Sequence, residues 1–357
     1  MSKELASPVV NQDHSITFNL KSENSKKVEI DGELRFGREQ VGPHKPIPPV
    51  PMKKIGNNIW TFTTEPVDPG VYGYFFVIDG IKTLDPLNPR KSYPVYIGSS
   101  LVKVEGDEPM PWDLIPDIAH GTVVIEKFYS KALKQVKPCA VYLPPGYRST
   151  DKKYPVLYLQ HGGGDDYLGW LFQGKADNIV DYMIAKKTDE IIVVMPEGHV
   201  TTPEEHYRIL ASGEGRIPEQ NLSERYLDYY VNDMMPFIEK KYRILKDSRA
   251  IAGLSMGGGE SLYVAMNHPS LFKALGVFSS GSAGRFLDII PQFKDQLKKI
   301  KTIYISGGIY DTALETFRAL HKRIEESGIP HTYVETNDGG HIWLVWQHAL
   351  TRFLTRL

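Results

Sequence analysis

The chain changes its hydrophobic rhythm once. Up to about residue 104, apolar and polar side chains alternate in short runs, HSITFNL, KVEIDGEL, NNIWTFTT and VYGYFFVID, separated by Gly, Pro, Asn and Asp. A period of two over strand-length runs predicts a half-buried strand in each, and together a small all-β sandwich over residues 1–104. Fourteen of the 25 prolines lie before residue 117. HKPIPPVPMKK is too proline-dense for a central strand and reads as an exposed loop, while GDEPMPWDLIPD, within residues 105–118, reads as a linker. Beyond it, apolar runs of strand length (KPCAVYLPP, YPVLYLQHG, DEIIVVMPEG, SRAIAGLS, ALGVFSSG, KTIYISGG, HTYVETND) alternate with segments of helical spacing. The helical segments are ADNIVDYMIAKK, SERYLDYYVNDMMPFIEKKY, GGESLYVAMNHP, TALETFRALHKRIEES and WLVWQHALTRFLTRL. Strands alternating with helices predict an α/β unit with a mostly parallel sheet over residues 119–357. No repeat of fixed period and no low-complexity tract interrupts this two-part organisation, which suits a chain of 357 residues.

Charge narrows the range of partners. Lys and Arg number 42 against 43 Asp and Glu, divided evenly along the chain, so there is no basic footprint for nucleic acid or an anionic membrane. No apolar run reaches the roughly 18 residues that span a bilayer, and the start, MSKELASPVV, has no apolar leader core. A secreted or periplasmic location is expected if a leader was removed, and a cytoplasmic one otherwise. The single cysteine, Cys139, excludes an internal disulfide and sits in the apolar run PCAVYL, as a buried small hydrophobe would.

The candidate chemistry lies in the second part. Gly253-Leu254-Ser255-Met256-Gly257 satisfies G-x-S-x-G between a strand and a helix, where small neighbours are needed because the turn is tight. An N-capping serine would account for the helix start but not for the flanking glycines. His161-Gly162-Gly163-Gly164 follows an earlier strand, and its backbone N–H groups can face a developing oxyanion with no side chain in the way. Gly163 or Gly162, with the amide of Met256, is the expected donor pair. His161 precedes the serine and reads as a structural hydrogen-bonding residue.

A serine needs a base, and the base an orienting acid. Among the downstream histidines, His268, His321, His331 and His348 fall in helices or at a strand start. His341 lies in the loop NDGGHIW between the last strand and last helix and is the expected base. Asp311, in the loop after KTIYISGG, is the expected acid, although it also reads as a helix N-cap. Asp338 is its rival, while Asp288 and Asp295 belong to the connection after FSSGSAG. No H-E-x-x-H or paired carboxylate cluster occurs and the histidines lack ligand spacing, so no metal or cofactor is expected.

HGTVVIEKFYS, CAVYLPPGY, KYPVLYLQHGGG, GLSMGG, Asp311 and the GGH at 339–341 resemble the esterase D-like group of α/β-hydrolases. The subgroup most resembled is the bacterial feruloyl and related carbohydrate esterases with an N-terminal immunoglobulin-like early-set domain; enterochelin esterases and mycolyltransferases are similar to the same core. The resemblance implies an α/β-hydrolase fold and a Ser255, Asp311, His341 triad. It also implies hydrolysis of esters on plant cell-wall polysaccharide, most of all feruloyl esters of xylan. Siderophore or acetyl ester hydrolysis, acyl transfer, or glycan binding on an inert core are the alternatives; a peptidase would be expected to carry a gating propeller, which is missing here. Residues 199–225 are longer than such relatives would be expected to carry, and read either as a lid or substrate-contacting loop or as a passive surface excursion. Tyr167, Trp170 and Trp343 could stack on an aromatic acyl group or sugar, and Trp60, Tyr72, Tyr74 and Phe75 could serve as glycan platforms. For all of these aromatics, packing in a core is the competing reading.

Overall fold

The computed structural model describes residues 5–34, 48–92, 98–202, 205, 219–337 and 339–357. Its N-terminal part is all-β. One sheet runs Val9–Val10, Ile16–Lys21, Ile59–Thr63, Lys53–Ile55 in spatial order; the other runs Val50–Pro51, Val28–Gly32, Gly70–Ile78, Ile81–Thr83, with Ser100–Val104 also paired to Gly70–Ile78. Every pairing is antiparallel. The inward residues of Ile16–Lys21 are those that alternation selects, Ile16, Phe18 and Leu20, and the Phe18 and Tyr74 rings meet 4.6 Å apart between the sheets.

This packing uses up the aromatic residues considered as platforms. Trp60, Tyr72 and Tyr74 are buried in the core, and Lys82 covers the ring of Phe75 at 3.7 Å. HKPIPPVPMKK is also not simply a loop: its described part supplies the strands Val50–Pro51 and Lys53–Ile55. Both lie at sheet edges, where a missing proline N–H breaks no ladder; residues 44–47 lie outside the described residues.

The second part is built on one eight-stranded sheet. In chain order its strands are β1 (Thr122–Ser130), β2 (Gln135–Leu143), β3 (Tyr154–Gln160), β4 (Ile192–Pro196), β5 (Ile244–Leu254), β6 (Ala274–Phe278), β7 (Thr302–Gly308) and β8 (Thr332–Thr336). Their spatial order is β1-β2-β4-β3-β5-β6-β7-β8, antiparallel at β1-β2 and β2-β4 and parallel from β4 onward. β4 and β6 are buried along their whole length, as expected of strands covered on both faces. β1, in HGTVVIEKFYS, is not among the apolar runs that mark the other strands, because an edge strand leaves every second side chain to solvent.

Helices cover both faces. α1 (Ala176–Ala185) and α5 (Trp343–Leu354) share one apolar core with the all-β part, while α2 (Glu219–Asp228), α3 (Met256–Asn267) and α4 (Leu314–Glu326) pack on the other side through Tyr226, Leu262 and Phe317. SERYLDYYVNDMMPFIEKKY is not one regular helix: after α2 the chain makes a π-helical turn, Tyr229–Met234, before Met235–Lys241 resumes. Pro236 has no N–H to offer the carbonyl one turn back, so the hydrogen-bond ladder must change register there.

The segment expected to be a linker is docked. Trp112 is 2% exposed, its ring meets His348 of α5 edge-on at 4.9 Å, and its carbonyl accepts the Asn178 amide. Trp112→Ala should therefore cost about 3–5 kcal/mol of stability. Urea unfolding measures this, and an unchanged midpoint would mean that the connection does not hold the two parts together.

Candidate functional site

β3, β5, β7 and β8 all end at the same edge of the sheet, so the segments that follow them meet there. Ser255 sits between β5 and α3 with φ 51° and ψ −117°. That conformation is costly for a residue with a side chain and requires close support. The Ser255 N–H donates to Phe278 O at 2.9 Å, and its carbonyl accepts from Ser280 Oγ at 2.7 Å, Ser282 Oγ at 3.0 Å and the Gly258 N–H at 3.1 Å. Glycine is obligatory alongside: a Cβ on Gly253 would lie 2.4 Å from Gly257 O, and one on Gly257 would lie 2.5 Å from His161 O. Ser280 and Ser282, at the end of the run ALGVFSSG and just past it, thus brace the turn. Their spacing carries no motif that would have revealed this.

His341 bridges the other two groups. Its Nδ1 lies 3.0 Å from Asp311 Oδ1 and its Nε2 3.0 Å from Ser255 Oγ. A carboxylate only accepts, so Nδ1 carries the proton and Nε2 is left to accept from the Ser255 hydroxyl. Asp311 is fully buried, and the same Oδ1 accepts the Ala313 N–H at 2.7 Å. Asp311 is therefore not the helix N-cap, a position held by Ala313 without a side-chain bond; its carboxylate closes a turn just before α4. The loops carrying Asp311 and His341 touch through backbone: Tyr310 N–H donates to Gly339 O, and a Cβ on Gly308 would lie 2.1 Å from that oxygen. Asp338 lies outside the described residues.

At the glycine turn, the two candidates differ. Gly162 is packed under Leu254, which a Cβ would approach to 2.6 Å, and its carbonyl accepts from His161 Nδ1 and the Asp165 N–H. Gly163 is less confined and faces Met256, whose Cβ would be 3.8 Å from a Cβ on Gly163. His161 is 1% exposed, with Nδ1 donating to Gly162 O and Nε2 accepting the Gly198 N–H at 2.9 Å, so it pins the turn to the end of β4. His161, Glu197 and His199 bring one donor atom each within 4.8 Å of one another, a juxtaposition hidden by their sequence spacing. The bonds just given occupy both nitrogens of His161, and His199 Nε2 donates to Asp165 O at 2.9 Å.

Two of the aromatic residues expected to face a ligand do not. Trp170 is 1% exposed with Nε1 donating to Gln160 O, and it packs edge-on against Trp343, itself 3% exposed. Indole rings of this size serve best as core filling when both faces can be covered, and here both are covered. Tyr167 is half-buried. A cavity of about 450 Å³ adjoins Met256, lined by Val200, Leu222, Tyr226, Glu260 and Arg285 among others. From residues 199–225 it takes His199, Val200, Thr201 and Leu222; 203–204 and 206–218 lie outside the described residues. A larger cavity, about 590 Å³, opens at the opposite end of the sheet, near the starts of β3 and β6 and away from Ser255. Among the described residues no helix is long and apolar enough to cross a membrane.

Residues 130–357 match the model of the Esterase family. A protein of Xylanibacter ruminicola named endo-1,4-beta-xylanase/feruloyl esterase is 27% identical over 362 residues, which is 98% of this chain and 46% of that protein. The chain thus spans less than half the length of this curated relative. Among solved structures, a ferulic acid esterase is 27% identical with a TM-score of 0.57, covering 66% of this chain and 99% of its own. Enterochelin esterase from Shigella flexneri is 16% identical with a TM-score of 0.68, over 99% of this chain and 95% of its own, a likeness of fold. The large sheet is accordingly an α/β-hydrolase sheet preceded by an all-β region, the architecture that the family resemblance implied.

The crowding around Ser255 is testable. Gly257→Ala should destabilise the protein by about 1–3 kcal/mol, because backbone lies where the methyl group must go. Gly163→Ala, whose methyl finds ordinary contact, should stay within about 0.5 kcal/mol. Thermal melting of the two variants compares them; equal losses would mean that backbone approach does not set the turn.

Proposed function

We propose, since this chain belongs to the Esterase family, that it is a serine carboxylesterase working through an acyl-enzyme. The observation that carries this reading is the single imidazole within hydrogen-bond reach of both a strained, exposed-edge serine and a fully buried aspartate. In the first half-reaction His341 Nε2 takes the Ser255 proton as Oγ bonds to the ester carbonyl carbon. The carbonyl π electrons move to oxygen, which the amides of Met256 and Gly163 stabilise. The tetrahedral adduct collapses, the C–O bond to the alcohol breaks, and the imidazolium returns its proton to the departing alkoxide. In the second half-reaction water, deprotonated by the same nitrogen, releases the acid and regenerates Ser255. Asp311 holds the imidazole with Nδ1 protonated throughout, and stabilises its positive charge when it forms.

The proposed substrates are feruloyl esters of plant cell-wall polysaccharide. Support comes from the names of the relatives that are 27% identical, one a xylanase/feruloyl esterase and one a ferulic acid esterase. The cavity beside Met256 is in the range that holds small-molecule ligands, and Leu222, Val200 and Tyr226 give it an apolar wall. Tyr167 is retained as a contact to the substrate at the rim, whereas Trp170 and Trp343 act from within the core.

Wild-type protein should hydrolyse p-nitrophenyl acetate and methyl ferulate. Ser255→Ala should lose roughly a millionfold in kcat and Asp311→Asn about ten-thousandfold. Equal rates for wild type and Ser255→Ala would sink the proposal. Turnover of a catecholate triester in place of methyl ferulate would move the substrate to siderophores, and xylan binding without turnover would favour an inert, glycan-binding core.

A further inference from the structure

The N-terminal all-β part delivers one charged group to the edge of the site. Glu33 follows the strand Val28–Gly32, where Gly32, at φ 145°, runs so close to the strand Gly70–Ile78 that a Cβ would lie 2.2 Å from Gly73 O. The Glu33 N–H donates to the same Gly73 O at 2.8 Å, and Glu33 Oε2 accepts the Gly73 N–H at 2.5 Å. Its other oxygen, Oε1, accepts the N–H of Trp343 at 3.3 Å, across 310 residues of sequence. Trp343 begins α5, two residues after His341, so this bond fastens the free amide of the helix start to a different part of the molecule. A negative group at a helix N-terminus is also favoured by the helix dipole.

We propose that Glu33 is a positioning residue for the reaction at Ser255: it anchors the first turn of α5 and so fixes the loop that carries His341. The all-β part is then a working component of the site. This rests on the esterase reading above. The groups that face Glu33 are Asp165, from the glycine turn after β3, and His341 itself. Burial, reinforced by the Asp165 charge and opposed by the amides of Gly73 and Trp343 and by His341, pushes the Glu33 carboxyl up to about 7. Burial likewise pushes Asp165 up to about 6. Glu33 therefore gains its charge across the neutral range.

The test uses the full chain with a p-nitrophenyl ester over pH 5–9. Glu33→Gln, which removes the charge and leaves one acceptor oxygen where two amides now donate, should lower kcat by about tenfold with little change in KM, because the imidazole is less well held. Should Glu33→Gln fail to fold, Gly73→Ala is the second variant: its methyl would come within 3.1 Å of Glu33 Oε2 and displace the carboxylate, and kcat should fall likewise. Wild-type kcat in the variant that folds, or a loss carried by KM with kcat unchanged, overturns the proposal. If wild type is itself no faster than Ser255→Ala, it is the esterase reading that fails.

Discussion

A residue with a side chain held at φ 51° is the constraint on which the rest of this structure depends. Backbone placed in such a region costs of order 1–3 kcal/mol. Net contributions of about 1 kcal/mol each from the hydrogen bonds to the Ser255 N–H and carbonyl are enough to offset it. Those bonds come from β6, from the turn after it and from α3, so the serine cannot relax without moving three elements. The glycines at 253 and 257 let those elements close to backbone contact, and what would be a mobile loop serine becomes a fixed point above the sheet.

The other two side chains are located relative to that point by contacts of the same kind. Gly308 and Gly339 bring the loops after β7 and β8 together, and His341 spans from the buried Asp311 to Ser255. Immediately after His341 the chain enters α5, whose far side is packed against the all-β part through Leu344 and through Trp112 of the connecting segment. One apolar core therefore runs from Ile16 and Phe18 to Phe353. Disturbing the sandwich would reach the imidazole through a single helix, which is a short mechanical path.

Much of this was legible in the residues themselves. Period-two runs marked the sandwich strands, continuous apolar runs marked β2 to β7, and G-x-S-x-G between a strand and a helix marked the turn at Ser255. These signals are local: they depend on which side of a strand is buried and on how much room a turn leaves. Other features were not legible because they depend on partners distant in sequence. Ser280 and Ser282 look like loop residues until β6 is laid beside β5, and His161, Glu197 and His199 look scattered until β4 is laid beside β3. Trp170 and Trp343 look like ligand platforms until each covers the other.

The sequence alone determined the element types, the division into an all-β and an α/β part, and the local conformation of the turn, because propensity, periodicity and glycine sterics act within a few residues. Only the tertiary structure decided which aspartate and histidine meet Ser255, which aromatic rings are withdrawn into the core, and that Glu33 reaches the amide of Trp343. Those outcomes follow from strand order and from packing between the two parts, which bring groups together across hundreds of residues. No short-range pattern encodes such distances.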